Sequence, residues 1–198
     1  MKYIKRKTDF FYDDQGNLIQ EISYHSSYSS VKFITFTVYD YDENNRLIHK
    51  HVEDDYNNVY EHITYTYDES GNIISSVLND SLMTITNYEY DEYGRVIRES
   101  DCIDTYHYHY DEYDNISCII NTTTNDVIHY SNEYENNRLV RAISEEDITE
   151  YEYNEKGYLI NKTVKSMASD GDILYTIIFR YTYDENSRIA TEIYEIDE

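Results

Sequence analysis

The sequence predicts an all-β fold. The expected form is an antiparallel meander of about eight repeated hairpins in one curled sheet, open and solenoid-like or partly closed. Three observations predict it. Tyrosines recur in Tyr-x-Tyr steps, the period-two signature of a strand. Each step runs into a short polar turn with Gly, Asn, Asp or Ser at one fixed position. An aliphatic pair then follows, as in "YEYDEYGRVIRE", residues 88–99.

The strand before each turn comes first. Copies align on the last tyrosine of the step, at Tyr12, Tyr41, Tyr67, Tyr90, Tyr110, Tyr134, Tyr153 and Tyr183, with spacings from 19 to 30 residues. Constant unit ends and variable connections are the mark of a repeat. Within a step both rings project to one face, because side chains alternate along a strand. The first copy has Phe10 in place of the first ring, and the sixth has Asn132.

The turn comes next. After Tyr90 the chain reads Asp91, Glu92, Tyr93, Gly94, which fits a three-residue loop: a type I turn followed by one left-handed residue in a bulge. The left-handed position falls on Gly16, Asn45, Gly71, Gly94, Asp114, Asn137, Gly157 and Ser187. Four of the five glycines sit there, as expected of the residue that accepts positive φ without penalty. The sixth copy, "NEYENNRLVRA", is one turn residue short. An Asp opening the turn accepts a hydrogen bond from backbone two residues on. The register then sets Asp91 against Arg95 and Tyr90 against Val96, and it likewise sets Asp42 against Arg46 and Asp184 against Arg188.

The strand after each turn carries two aliphatics. The first (Leu18, Leu47, Ile73, Val96, Ile116, Leu139, Leu159, Ile189) shares the tyrosine face. The second (Ile19, Ile48, Ile74, Ile97) shares the other face with the polar middle residue of the step. Eight hairpins give about sixteen strands, in one repeat domain over residues 1–198. An open array needs guarded ends. The basic start (Lys2, Lys5, Arg6, Lys7) and the acidic end "EIYEIDE" fit that purpose.

Composition restricts function. The formal net charge is -24, with 26 Tyr and no Pro or Trp. Phosphate contacts need Lys and Arg, so direct nucleic-acid binding is not expected, nor is an anionic membrane surface. Mean hydropathy is -0.77, yet 16% aromatic residues set the chain apart from disordered segments. No apolar run is long enough for a membrane helix, and the start has no apolar segment of a secretory signal. The reading is cytoplasmic, with Cys102 and Cys118 as free thiols. Much Asn, Ile, Tyr, Lys and Asp beside little Ala, Gly and Pro points to an AT-rich bacterial or phage source.

No phosphate loop, nucleophile elbow or zinc-helix motif occurs, so no catalytic residue and no cofactor are expected. His107 and His109 in "HYH", with Asp101, Asp104 and Asp111 nearby, are the best metal candidates, ahead of His49 and His51. Spacing fixes no third ligand, and no metal is assigned.

The pattern carried by "YEYDEYGRVI", "YDYDENNRLI" and "YTYDENSRI" resembles the tyrosine–aspartate (YD) repeat of the Rhs family, over residues 10 to 196. In that family such repeats build a β-sheet shell around a toxic C-terminal domain, so the resemblance implies the β architecture. The chain is read as a short stand-alone array. Without Pro it lacks the Asp-Pro-Gly-type motif that ends those cores, and no toxin tail follows its last repeat.

The expected function is a non-enzymatic acidic protein-binding module. Its sharper form is an inhibitor: an immunity protein against a toxin, or a phage anti-defence factor, with nucleic-acid mimicry as a special case. The expected partner is a protein with a basic surface, met through outward charges such as Glu89, Glu133 and Glu152. A structural Rhs-like shell segment is the alternative, and glycan binding through exposed tyrosines is a second.

Overall fold

A computed structural model describes residues 3–26, 33–56, 58–79 and 83–197, with the side chains of residues 3–5 outside the description. Among the described residues there are seventeen strands and no helix. The eight repeats form eight hairpins. They are β1 (Tyr3–Tyr12) with β2 (Leu18–His25), β3 (Phe33–Tyr41) with β4 (Leu47–Asp54), β5 (Val59–Tyr67) with β6 (Ile73–Leu78), and β7 (Thr84–Tyr90) with β8 (Val96–Ser100). The series continues with β9 (Thr105–Tyr110) and β10 (Ile116–Asn121), β12 (Ser131–Glu135) and β13 (Arg138–Ile143), β14 (Asp147–Tyr153) and β15 (Leu159–Met167), and β16 (Ile173–Tyr183) and β17 (Ile189–Asp197). The seventeenth strand, β11 (Asp126–His129), lies in the connection between the fifth and sixth repeats.

Every expected left-handed position has positive φ, from 59° at Asn45 to 91° at Gly16 and Gly71. The turn of the fourth hairpin closes as the register requires. Asp91 N donates to Arg95 O at 3.0 Å and Gly94 N to Asp91 O at 3.1 Å. The Asp91 carboxylate accepts from Tyr93 N and Arg95 N, both at 2.9 Å, and from Arg95 Nε at 2.7 Å. The sixth hairpin has a two-residue loop, with Asn136 and Asn137 both left-handed and Glu135 opposite Arg138. That is the type I′ geometry that Asn favours.

Gly94 has φ +79°, and a Cβ built there meets nothing within 4 Å. Gly94→Val therefore isolates backbone strain from crowding. The expected cost is on the order of 1–2 kcal/mol, read by chemical denaturation. Stability unchanged within about 0.5 kcal/mol would overturn the turn assignment.

A feature absent from the sequence pattern bends the sheet. Where the last tyrosine of each step pairs with the first aliphatic, the second aliphatic position is skipped, so Tyr90 faces Val96 while Glu89 faces Arg98. The skipped residues are Ile19, Ile48, Ile74, Ile97, Ser117, Val140, Ile160 and Ala190. Each is a β-bulge, which bends its strand and increases twist. Eight bulges at one height curl the sheet steadily in one direction.

The curl closes. β1 pairs antiparallel with β17 from Tyr3↔Ile196 to Asp9↔Thr191. Arg6 Nη2 donates to Glu192 at 2.8 Å, and Thr191 Oγ1 donates to Asp9 at 2.9 Å. The basic start and acidic end thus meet each other, which corrects the expectation of two guarded edges. Lys2 and the side chain of Lys5 lie outside the described residues. The two ends of the ladder fall instead on one line of chain, where β11 pairs with β10 and β12 with β13, interrupted at Tyr130. The result is one nearly closed, barrel-like sheet.

The tyrosines face inward and the middle residues of the steps face out, with Asp40, Thr66, Glu89, His109, Glu133, Glu152 and Thr182 exposed. Ala142 is the one buried apolar residue among the described residues, and no side chain among them is fully buried. The inner wall is half-buried tyrosine with small hydroxyls, as where Thr8 and Ser23 bond at 2.9 Å. A half-buried tyrosine removes about 100 Å² from water, roughly 2.5 kcal/mol at 25 cal/mol/Å². Repetition of that modest term takes the place of a central core.

Beyond the backbone ladders, one side-chain bond clasps each hairpin to the next at seven of the eight junctions. At the turn end the ladders between hairpins stop, leaving a backbone carbonyl that needs a donor. The tyrosine hydroxyl supplies it. Tyr41 donates to Leu18 O at 2.8 Å, Tyr67 to Leu47 O at 2.7 Å, Tyr90 to Ile73 O at 2.8 Å and Tyr110 to Val96 O at 2.7 Å. Tyr153 donates to Leu139 O at 2.9 Å and Tyr183 to Leu159 O at 2.6 Å. Tyr12 completes the circuit by reaching Ile189 O at 2.9 Å, across the junction of the termini. Arginines follow the same step, with Arg46 over Tyr67 at 5.0 Å, Arg95 over Tyr110 at 4.6 Å and Arg188 over Tyr12 at 4.5 Å. The YD sequence is therefore an inter-repeat clasp as well as a turn.

Candidate functional site

The meander brings all eight repeat turns to one end of the barrel. Neighbouring turns touch, as where Arg95 Nη1 donates to Asp114 at 2.6 Å and Asn17 Nδ2 to Asn45 at 3.3 Å. The acid that opens most turns is used internally. Asp42 and Asp184 are held below the usual carboxylate range, first by the backbone N–H of Arg46 and Arg188. Asp68 is lowered first by the backbone of Asn72, and Asp13 first by the side chain of Asn17. The arginines are also occupied, Arg46 with Asp42 at 2.7 Å and Arg188 with Asp184 at 2.8 Å.

The second turn residue is left facing solvent. Asp14, Glu43, Glu69, Glu92, Glu112, Glu155 and Glu185 are all exposed, and Asn136 holds the position in the sixth turn. The rim is thus a ring of outward carboxylates: Arg46, Arg95 and Arg188 beside it are paired with turn acids, and the exposed Lys156 stands next to Glu155. Its field is negative and open to solvent, which suits steering of a basic surface. The sequence places binding charges on loops and on the polar strand face, without singling out the second turn position. Its alignment into a ring depends on closure.

Glu89, Glu133 and Glu152 point outward as the alternation requires, but each has a partner on the same wall. Glu89 pairs with Arg98 at 2.5 Å, Glu133 with Arg141 at 3.5 Å, and Glu152 accepts from Asn161 Nδ2 at 2.6 Å. His107 and His109 alternate along β9, opposite Ile120 and Cys118. The acids near them have other work. Asp101 accepts from the backbone of Ile103 and Asp104, and Asp111 accepts from Tyr134 and Asn132. Among the described residues no group of three or more His, Cys, Asp or Glu is placed to hold a metal. Cys102 and Cys118 are free thiols.

Carboxylates of the inner wall have partners. Tyr39 donates to Glu21 at 2.6 Å, Tyr108 donates to Glu99 at 3.0 Å, and Lys50 pairs with Glu61 at 2.8 Å. At the end opposite the turns, exposed apolar side chains gather on or beside the connections, among them Tyr56, Val59, Tyr60, Ile103, Ile173 and Leu174.

No protein-family model matches the chain, and no curated protein matches it. Solved structures do. A porin-like protein from Bacteroides uniformis superposes with a TM-score of 0.56 at 7% identity, over 98% of this chain and 96% of that one. That likeness concerns the fold alone. The crystal structure of TcdB2-TccC3 without its hypervariable C-terminal region matches 91% of this chain, at a TM-score of 0.40 and 16% identity. The TcdB2-TccC3 structure matches 89% at the same score and identity. The chain spans 13% of the length of each of these two.

Proposed function

We propose that the protein is a non-enzymatic, acidic protein-binding module that engages a basic partner surface through its turn rim. In the sharper form it is a cytoplasmic inhibitor, either an immunity protein or a phage anti-defence factor. The observation that carries this reading is the ring of seven exposed carboxylates from Asp14 to Glu185, held on turns whose arginines Arg46, Arg95 and Arg188 are paired internally. Preorganised charge raises the association rate more than it raises affinity alone. Mimicry of a phosphate chain is a special case of the same field.

An aqueous setting is supported by the outer wall. Arg98, Arg141 and Lys165 pair there with Glu89, Glu133 and Glu150, and an Arg or Lys facing lipid near the bilayer midplane costs about 2–4 kcal/mol. The alternative, a segment of an Rhs-type shell, rests on the repeat chemistry. Adding repeats in register with β1 or β17 would require opening the ladder between them.

The test is kinetic. A partner recovered with the full chain is measured by surface plasmon resonance across salt. Association is expected to slow at least about tenfold between about 50 and 500 mM salt. Changing Glu43, Glu69, Glu92 and Glu185 together to Gln is expected to slow it further without altering the melting curve, since exposed charges contribute little to stability. Changing Glu89, Glu133 and Glu152 to Gln is expected to do less, because they lie on the wall away from the rim and two of them already pair with Arg98 and Arg141. Salt-independent binding would overturn the proposal and move attention to the apolar end of the barrel.

A further inference from the structure

Seven of the eight junctions between hairpins share one chemistry, and the junction between the fifth and sixth repeats does not. Elsewhere the first position of the step is aromatic: Phe10, Tyr39, Tyr65, Tyr88, Tyr108, Tyr151 and Tyr181. In the sixth repeat it is Asn132, and the residue paired with it across the hairpin is Ala142. Both members of that pair are small, so one ring is missing from the inner wall.

The local bonds have rearranged around the gap. Asn132 Nδ2 donates to Ile116 O at 3.0 Å, the carbonyl that a tyrosine hydroxyl serves at the other seven junctions. Tyr134 is displaced onto the Asp111 carboxylate, and its ring packs on Tyr113 with centroids 4.4 Å apart. Tyr130 marks the interruption between β11 and β12, and its N–H donates to Ser117 O at 2.9 Å.

A cavity of about 410 Å³ remains, and Tyr110, Ile116, Tyr130, Asn132, Ala142 and Tyr151 are among its lining residues. That lies in the size range of small-molecule sites. In the other seven repeats an aromatic ring occupies the equivalent place. Aromatic neighbours favour another ring in offset or edge contact over a saturated one. Among the described residues the hydroxyls of Tyr130 and Tyr151 bond no side chain or backbone group, which leaves donors and acceptors for one polar substituent.

We propose that this cavity is a binding site for a small phenolic ligand, which supplies the aromatic ring that Asn132 and Ala142 leave out of the sixth repeat. The inference is independent of the acidic rim and of whatever partner the rim meets.

The probe is p-cresol, the side chain of tyrosine as a free molecule, titrated into the full chain and followed by NMR and by thermal shift. Saturable one-site binding is expected, with resonances of Tyr130, Tyr151 and Ala142 moving together and a melting temperature that rises with ligand concentration. Asn132→Tyr restores the missing ring, and Ala142→Leu fills the same space from the opposite strand. Each is expected to weaken p-cresol binding at least about tenfold while preserving the β spectrum. Either variant alone suffices if the other fails to fold. Glu185→Gln, on the rim, is expected to leave binding unchanged. Absence of saturable binding, equal binding by a filled variant, or stronger binding of glucose than of p-cresol would each overturn the proposal.

Discussion

Ending the chain at Arg188, so that β17 is lost, is expected to abolish the stable monomer. The strand pairs along its length on both sides, with β1 and with β16. Its removal exposes two long ladder edges at once, and exposed edges recruit other chains. It also removes the carbonyl of Ile189 from Tyr12 and the Glu192 carboxylate from Arg6. A native domain is stable by only about 5–15 kcal/mol. No deep apolar core remains to hold the other repeats, because burial is spread evenly around the wall. Size-exclusion chromatography with light scattering should find oligomers or aggregate, and the thermal transition seen by circular dichroism should broaden or vanish. A monomer that melts as the full chain does would mean that the repeats stand as an open array and that closure adds nothing.

Closure is the part of this fold that local sequence does not encode. The turns were legible because their chemistry is local. Gly94, Asn45 and Ser187 take positive φ within a few bonds of the Asp that caps them, and no distant residue is needed to place them. The pairing of Asp91 with Arg95 and of Tyr90 with Val96 followed from loop length alone. The bulge at Ile97 was not legible, since its residue type matches any outward aliphatic. The meeting of β1 with β17 depends on bend and twist added over the whole sheet. Charge at the two termini was visible, but whether Arg6 guards an edge or bonds Glu192 is decided by that sum.

The candidate site divides in the same way. The outward direction of Glu89, Glu133 and Glu152 follows from alternation, whereas their pairing with Arg98, Arg141 and Asn161 needed the register. The extra strand β11 was hidden because "DVIH" lies in a connection outside the repeat. Asn132 was visible as a departure from the pattern. Its consequence, a missing ring beside Ala142, required the cross-strand pairing.

The tyrosines make the fold vulnerable to alkali, and the expected outcome is a single cooperative unfolding above pH 10. Burial, and after it the hydrogen bond to Glu21, pushes the Tyr39 hydroxyl far up. Burial followed by the charge of Glu99 does the same for Tyr108. Tyr181 is pushed up to about 12, by burial and then by Glu192, and Tyr134 to about 12, by burial and then by its bond to Asp111. The clasp tyrosines, Tyr12, Tyr41 and Tyr153 among them, are raised chiefly by burial. For an acid, a raised folded pKa means that the fold favours the neutral form. The resulting stability is complete below the unfolded value of about 10 and is lost as pH rises from there through the folded values. Each group that ionises only in the unfolded chain costs about 1.4 kcal/mol per pH unit in that window. Solvent reaching the half-exposed rings reduces this figure, but many rings act together. A phenolate also cannot donate to Leu18 O or Ile189 O, and each one adds to a formal charge already at -24. Phenolate absorbance and the β signal in circular dichroism should therefore change in one step. Tyr39→Phe removes one linked proton, so its loss of stability with pH should be shallower than that of the parent chain. Tyrosines that titrate independently near pH 10 while the β signal persists would show that the hydroxyl clasp does not hold the barrel.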